Sequence, residues 1–233
     1  MLVTRNGLAP SRERAQALII AGKVKVGGET VRRPDRAVRE GEEVLVDAGI
    51  DYASRGALKL GPALRDLHVD PAGRVCADIG ASTGGFTDVL LRAGATRVYA
   101  VDVGRGLMNW RLRQDDRVVV MDRVNARDLK PFPEPVSLVV IDVSFIGLEK
   151  VLPAIRAAAP EAEVVALFKP QFQVGRDEVG KGGIVRDDGA IRTALDRTRQ
   201  WCEANGYAVR AELPSEVAGA EGNREIFLHL VAK

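Results

Sequence analysis

The stretch Val75-Cys76-Ala77-Asp78-Ile79-Gly80-Ala81-Ser82-Thr83-Gly84-Gly85-Phe86 decides the fold. It reads as a buried strand over 75–78 running into a turn of small residues, then a helix over 87–93. Such a turn lets backbone approach a ligand closely and aims the N–H groups of a helix start at it. Asp102, 24 positions after Asp78, closes a second strand over 97–102, where a carboxylate can accept both hydroxyls of a ribose. Further strands are expected at 117–121, 137–142, 163–168, 207–212 and 225–231. Mostly helical stretches separate them, which predicts an α/β domain: seven strands, mostly parallel, covered on both faces, with an antiparallel member among the last two.

Two cofactor classes use a glycine turn followed by an acid at the next strand end. In a dinucleotide fold the usual G-x-G-x-x-G begins directly after the strand and cradles a pyrophosphate. Here Asp78 precedes the loop and the spacing is D-x-G-x-x-x-G-G-F. That resembles the first motif of class I, Rossmann-like methyltransferases, in which the loop lies beside the methionine part of S-adenosyl-L-methionine. The resemblance implies this cofactor, held by Asp78, Gly80, Ala81, Ser82, Thr83, Gly84, Gly85 and Phe86, with Asp102 and Val103 at the ribose. Asn125, after the third strand, would lie near the adenine, with Asp122 as the alternative; either also serves as an ordinary turn residue.

The front of the chain has a different character. Residues 1–39 carry nine Lys and Arg against three acids, whereas the whole protein nets only +2. A local cationic excess points to a polyanion, or to a solvated face. Ser11 is a plausible cap for a helix ending at Gly22; Lys23 to Val26, Gly27-Gly28 and Glu29 to Val31 read as a hairpin, and Val44 to Val46 as a third short strand. This order resembles the S4 fold, an RNA-binding module, with a front shorter than usual. It implies an α+β RNA-binding domain over 1–46, a linker over 47–51 and a catalytic domain over 52–233. Arg5, Arg12, Arg14, Lys23, Lys25, Arg32 and Arg33 are its candidate RNA contacts. A basic cap that only packs on the next domain is the plainer reading.

Four charged residues stand where a buried element would not ordinarily accept them: Lys59 within an apolar helix over 55–67, Asp142 and Lys169 closing apolar strands, and Glu225 opening one. Carboxyl ends of parallel strands share a crevice, so these side chains are expected to meet Gly80 and Asp102 there. In this order they resemble the K-D-K-E tetrad of FtsJ-like ribose 2′-O-methyltransferases. The text around them, Ser54-Arg55-Gly56-Ala57-Leu58-Lys59-Leu60, Asp142-Val143-Ser144-Phe145, Lys169-Pro170-Gln171-Phe172 and Gly180-Lys181-Gly182-Gly183, looks like the TlyA family across essentially the whole chain. Those proteins, often labelled hemolysins, pair an S4 domain with this methyltransferase. The resemblance implies methylation of cytidine 2′-hydroxyls in ribosomal RNA, large-subunit and also small-subunit; the abrupt start points to a subgroup acting on the large subunit alone. Lys59, Asp142, Lys169 and Glu225 would be catalytic, and Ser54, Gly56 and Asp142 would join the cofactor set. A ribose hydroxyl is a weak nucleophile, and a lysine can orient it, stabilise the developing alkoxide or act as its base. Lys169 is the expected residue. Two ordinary ion pairs at a sheet edge are the structural alternative.

Other chemistries find little support. Cys76 and Cys202 are the only cysteines, so neither a disulfide framework nor a cysteine-rich metal site is expected. No apolar run reaches eighteen residues, and the start lacks a signal core, so a cytoplasmic protein with no membrane partner is expected, and no obligate protein partner. The spacing from Gly175 to Lys181 imitates a phosphate-binding loop, yet Gly182 occupies the Ser/Thr position. That segment reads instead as a loop over the site, with Lys181 and Arg186 available to RNA phosphate. The competing functions are an RNA base methyltransferase, whose Asn-Pro-Pro-Tyr-like motif or catalytic cysteine is lacking, a membrane-active hemolysin, and a non-enzymatic RNA binder.

Overall fold

Successive residues of a strand point to opposite faces, and in the central strands of this computed structural model both faces are apolar. β4 (Val75–Ile79) sends Ala77 and Ile79 to one side and Cys76 to the other. β5 (Arg97–Asp102) divides Tyr99 and Val101 from Val98 and Ala100, and β7 (Leu138–Ile141) divides Val139 and Ile141 from Leu138 and Val140. The first side packs against α6 (Leu148–Ala158) and α7 (Asp188–Ala204), and the second against α3 (Ala57–Asp66), α4 (Gly85–Arg92) and Leu112 of the short α5 (Trp110–Arg113). The described residues are 2–9, 11–39, 41–46, 52–219 and 222–233, without the side chains of Arg14 and Arg176.

With β6 (Val118–Asp122), β8 (Glu163–Phe168), β9 (Tyr207–Pro214) and β10 (Ile226–Ala232), the seven strands order as β6-β5-β4-β7-β8-β10-β9. β4 to β8 pair in parallel, and β10 runs antiparallel to both its neighbours. The chain moves outward from β4 to β6 and then returns to β7 on the other flank. That reversal opens a crevice between the carboxyl ends of β4 and β7, the place where such sheets bind ligands.

Residues 1–51 form a separate compact unit and 52–233 the other. Within the first, α1 (Leu2–Arg5) and α2 (Arg12–Ile20) pack on a sheet of β1 (Val24–Val26), β2 (Glu29–Val31) and β3 (Val44–Val46), ordered β2-β1-β3. Val3, Ala15, Leu18, Val24, Val26 and Val31 are its core. The β1–β2 turn is Gly27-Gly28, both at positive φ, as a two-residue hairpin of right-handed twist requires. Lys23 and Lys25 are exposed, as are Arg5, Arg12, Arg32 and Arg33. α1 is an element the sequence reading lacks, and the expected linker over 47–51 lies outside the described residues. Among the described residues no helix is long and apolar enough to cross a membrane.

Candidate functional site

The glycine turn is shaped by its neighbours. Gly80 has φ +87°, and a Cβ there would lie 2.5 Å from Asp142 O, so only glycine lets the exits of β4 and β7 run this close. Gly84, at φ +93°, ends the turn and leaves α4 without a side-chain cap. The helix therefore begins at Gly85, two residues earlier than the sequence spacing predicts, and the backbone of Thr87 in its first turn already serves Asp78. Asp102 pins the turn: one carboxylate oxygen accepts from Ser82 N and the other from Gly104 N, each at 2.7 Å. Asp78 is fully buried beneath it. Its Oδ2 accepts from Thr87 Oγ1 at 2.6 Å, while Oδ1 finds no partner among the described residues. Burial, aided by the charges of Asp142 and Asp102 and opposed by Thr87, pushes this carboxyl up to about 7.

Two cavities adjoin at this turn. One, of about 210 Å³, is lined by Ser54, Gly56, Lys59, residues 80–83, Gly85, Phe86 and Asp142. The other, of about 420 Å³, is lined by Asp102, Val103, Asn125, Ser144 and Phe145. Gly80, Ser82 and Asp142 belong to both walls. Ser54 is held in place through Asp88, which accepts from Ala53 N at 2.8 Å and from Arg111 at 2.7 Å. Of the two residues expected near an adenine, Asn125 lines the larger cavity, capping a 3-10 turn with its side chain. Asp122 is instead engaged by Arg113 at 2.9 Å and Gly106 N at 3.1 Å. Gly84 faces Leu112 and Met108, away from the cavities.

The four charged residues form two ion pairs. Lys59 Nζ lies 2.6 Å from Glu225 Oε2, and Lys169 Nζ lies 2.5 Å from Asp142 Oδ1 and 3.1 Å from Ser144 Oγ. Ile226 stands opposite Phe168, so Glu225, just before β10, and Lys169, just after β8, emerge at the same sheet edge. Lys59 and Asp142, one member of each pair, share the wall of the smaller cavity. Glu225 and Lys169 are both buried. Charges so placed persist only when paired, and each here has its partner. Lys181 and Arg186 are exposed and line neither of these two cavities.

Residues 52–232 match the model of the FtsJ-like methyltransferase family, and residues 1–44 match that of the S4 domain. The chain belongs to the FtsJ-like methyltransferase family. It is 46% identical over 234 residues to the 16S/23S rRNA (cytidine-2′-O)-methyltransferase TlyA of Mycobacterium tuberculosis, covering 98% of this chain and 87% of that protein. It is 38% identical to Hemolysin A of Brachyspira hyodysenteriae, over 98% of this chain and 97% of the relative. A Streptococcus thermophilus protein solved under a hemolysin name superposes with a TM-score of 0.78 at 40% identity, over 100% of this chain and 86% of that one.

Two features of this FtsJ-like domain escape sequence reasoning. Ser144, the second partner of Lys169, is hidden because only the fold brings the β7 exit to the β8 exit. Phe145 is 92% exposed with φ +65°, and its ring packs 5.2 Å from Phe172. An aromatic three residues past a strand-ending acid is the sole signal in the sequence. Exposure and a left-handed backbone, which for a bulky residue marks strain, are visible only in three dimensions.

Proposed function

We propose that this enzyme transfers a methyl group from S-adenosyl-L-methionine to the 2′-hydroxyl of a cytidine in ribosomal RNA. The observation that carries the reading is the meeting of Lys169–Asp142 and Lys59–Glu225 beside two cavities joined at Gly80. Their walls suit the proposed cofactor: the glycine turn and Ser54 for its methionine end, Asp102 for its ribose, Asn125 at its adenine. The bound sulfonium supplies an activated methyl. An ammonium has three N–H donors; Lys169 spends one on Ser144 and is ion-paired with Asp142, which leaves a donor for the acceptor hydroxyl. It thereby orients the attacking oxygen and stabilises the negative charge that builds as the hydroxyl proton passes to solvent and the oxygen takes the methyl group. Lys59 and Glu225 brace the other side, and alignment of donor with acceptor supplies much of the remaining rate. Phe145, standing at the cavity mouth, offers a ring on which the target or a neighbouring base can stack.

Exposed cations of the S4 unit would hold the RNA backbone, with Lys181 and Arg186 adding contacts from the catalytic unit. The name of the mycobacterial relative covers both 16S and 23S rRNA, so both are the substrate pool to test, and the cytoplasm is the place of action. The test is to supply labelled donor and separated ribosomal subunits and to map the label. A methylated cytidine whose 3′ linkage resists alkali is the expected product. Label on a base with an alkali-labile linkage would establish base methylation instead, and RNA binding without donor consumption would remove the enzyme reading altogether.

A further inference from the structure

Asn223 is 1% exposed, and both ends of its amide are spent on one short piece of backbone. Oδ1 accepts from Val185 N at 2.9 Å, and Nδ2 donates to Gly183 O at 2.8 Å. Gripping the carbonyl and the amide of alternate residues is how a neighbouring strand would pair with that segment, and here one side chain does it. The gripped piece is a turn closed on itself: Gly180 N donates to Ile184 O at 3.0 Å and Gly183 N to Gly180 O at 3.1 Å, with Lys181 exposed on it.

On its own side Asn223 belongs to the segment that delivers Glu225. Asn223 O accepts from Gly219 N at 2.9 Å, and Glu225 O accepts from Ser215 N at 2.9 Å, so the segment folds back on itself. Gly219 packs so closely that a Cβ on it would stand 2.7 Å from Glu225 Oε1. Val217 and Ala218, from the same segment, complete the wall of the cavity beside Lys59. Asn223 is thus the fastening between two segments of the catalytic edge, one bearing an exposed lysine and one bearing Glu225.

We infer that Asn223 is a positioning residue for methyl transfer: its amide fastens the 180–185 turn to the segment presenting Glu225, and so fixes Glu225 against Lys59. The inference rests on the proposed methyl transfer and adds a residue that acts through Glu225 without touching substrate. Removing the amide leaves the buried Val185 N–H and the half-buried Gly183 carbonyl without this partner and frees the Glu225 segment to shift.

A double-mutant cycle on single-turnover methylation of ribosomal RNA tests it, using Asn223→Ala, Glu225→Gln and the double variant of the full chain, with thermal melting to fix the folded fraction. Asn223→Ala should lower the rate about 10- to 100-fold in folded protein, the scale of a small misplacement of reacting groups. In the Glu225→Gln background the same change should cost no more than about threefold, because its route of action is already gone. Asn223→Asp keeps the acceptor for Val185 N but sets a carboxylate oxygen against Gly183 O, so its rate should fall at least as far as that of Asn223→Ala. An unchanged rate, losses that multiply in the double variant, or a loss that only mirrors the unfolded fraction overturns the inference. If Asn223→Ala does not fold at the assay temperature, the same cycle with Asn223→Asp decides. Wild-type protein that fails to methylate would sink the proposed function itself; active wild type with indifferent Asn223 variants sinks only this positioning role.

Discussion

Asp78 is a carboxyl sealed under the glycine turn with one oxygen unpaired among the described residues, and its titration is raised from an ordinary 3.8 to about 7 by burial. Between those values the folded protein holds a proton that the unfolded chain has released. The stability it contributes is therefore complete below 3.8 and is lost as pH rises through 7. In donor-free protein, melting temperature should fall between pH 5 and pH 8 by more in wild type than in Asp78→Asn, whose side chain does not ionise; parallel curves would mean that Asp78 is already charged. The tetrad is legible at this scale because a charge at the end of an apolar run is conspicuous in Asp142, Lys169 and Glu225. The pairing is not. Lys59 meets Glu225, and Lys169 meets Asp142, through the approach of α3 and the seating of β10, which no local pattern encodes.

The turn between β4 and α4 lies where the two cavities meet, and Gly80 is where it comes closest to other backbone. Gly80→Ala puts a methyl group against the Asp142 carbonyl in a backbone conformation that alanine resists. It should cost roughly 1–3 kcal/mol of stability. It should also abolish the rise in melting temperature that S-adenosylmethionine gives the wild type; a variant that keeps the full rise would mean that the turn does not border the donor. The strands are legible because residues buried on both faces read as continuous apolar runs. Their order is not: that β10 slots between β8 and β9 depends on pairings far apart in sequence. The start of α4 departs from expectation for a local reason, since Gly84 and Gly85 look alike in sequence and only the first takes the left-handed conformation.

At the scale of the whole molecule, charge is divided between two units. Residues 1–39 hold a strong cationic excess although the protein is close to neutral, and the excess is plain from sequence. Lys25 and Arg32 are both exposed in the S4 unit. Reversing both to Glu should weaken binding to ribosomal RNA fragments and lower the salt dependence of log K by about one for each phosphate that is no longer neutralised. Titrations at several salt concentrations would reveal it, and an unaltered slope would leave the unit a purely structural role. The catalytic unit, by contrast, should keep its affinity for the donor in that variant.

Lys169, held by Asp142 and Ser144, is the residue proposed to serve the acceptor hydroxyl. Its most direct test is single-turnover methylation by Lys169→Ala at saturating donor, with donor affinity measured on the same protein by calorimetry. The rate should fall by about 10²- to 10³-fold, the usual worth of one donor aimed at a developing oxyanion, while the methyl donor still binds. A variant that methylates ribosomal RNA at close to the wild-type rate would remove Lys169 from the reaction.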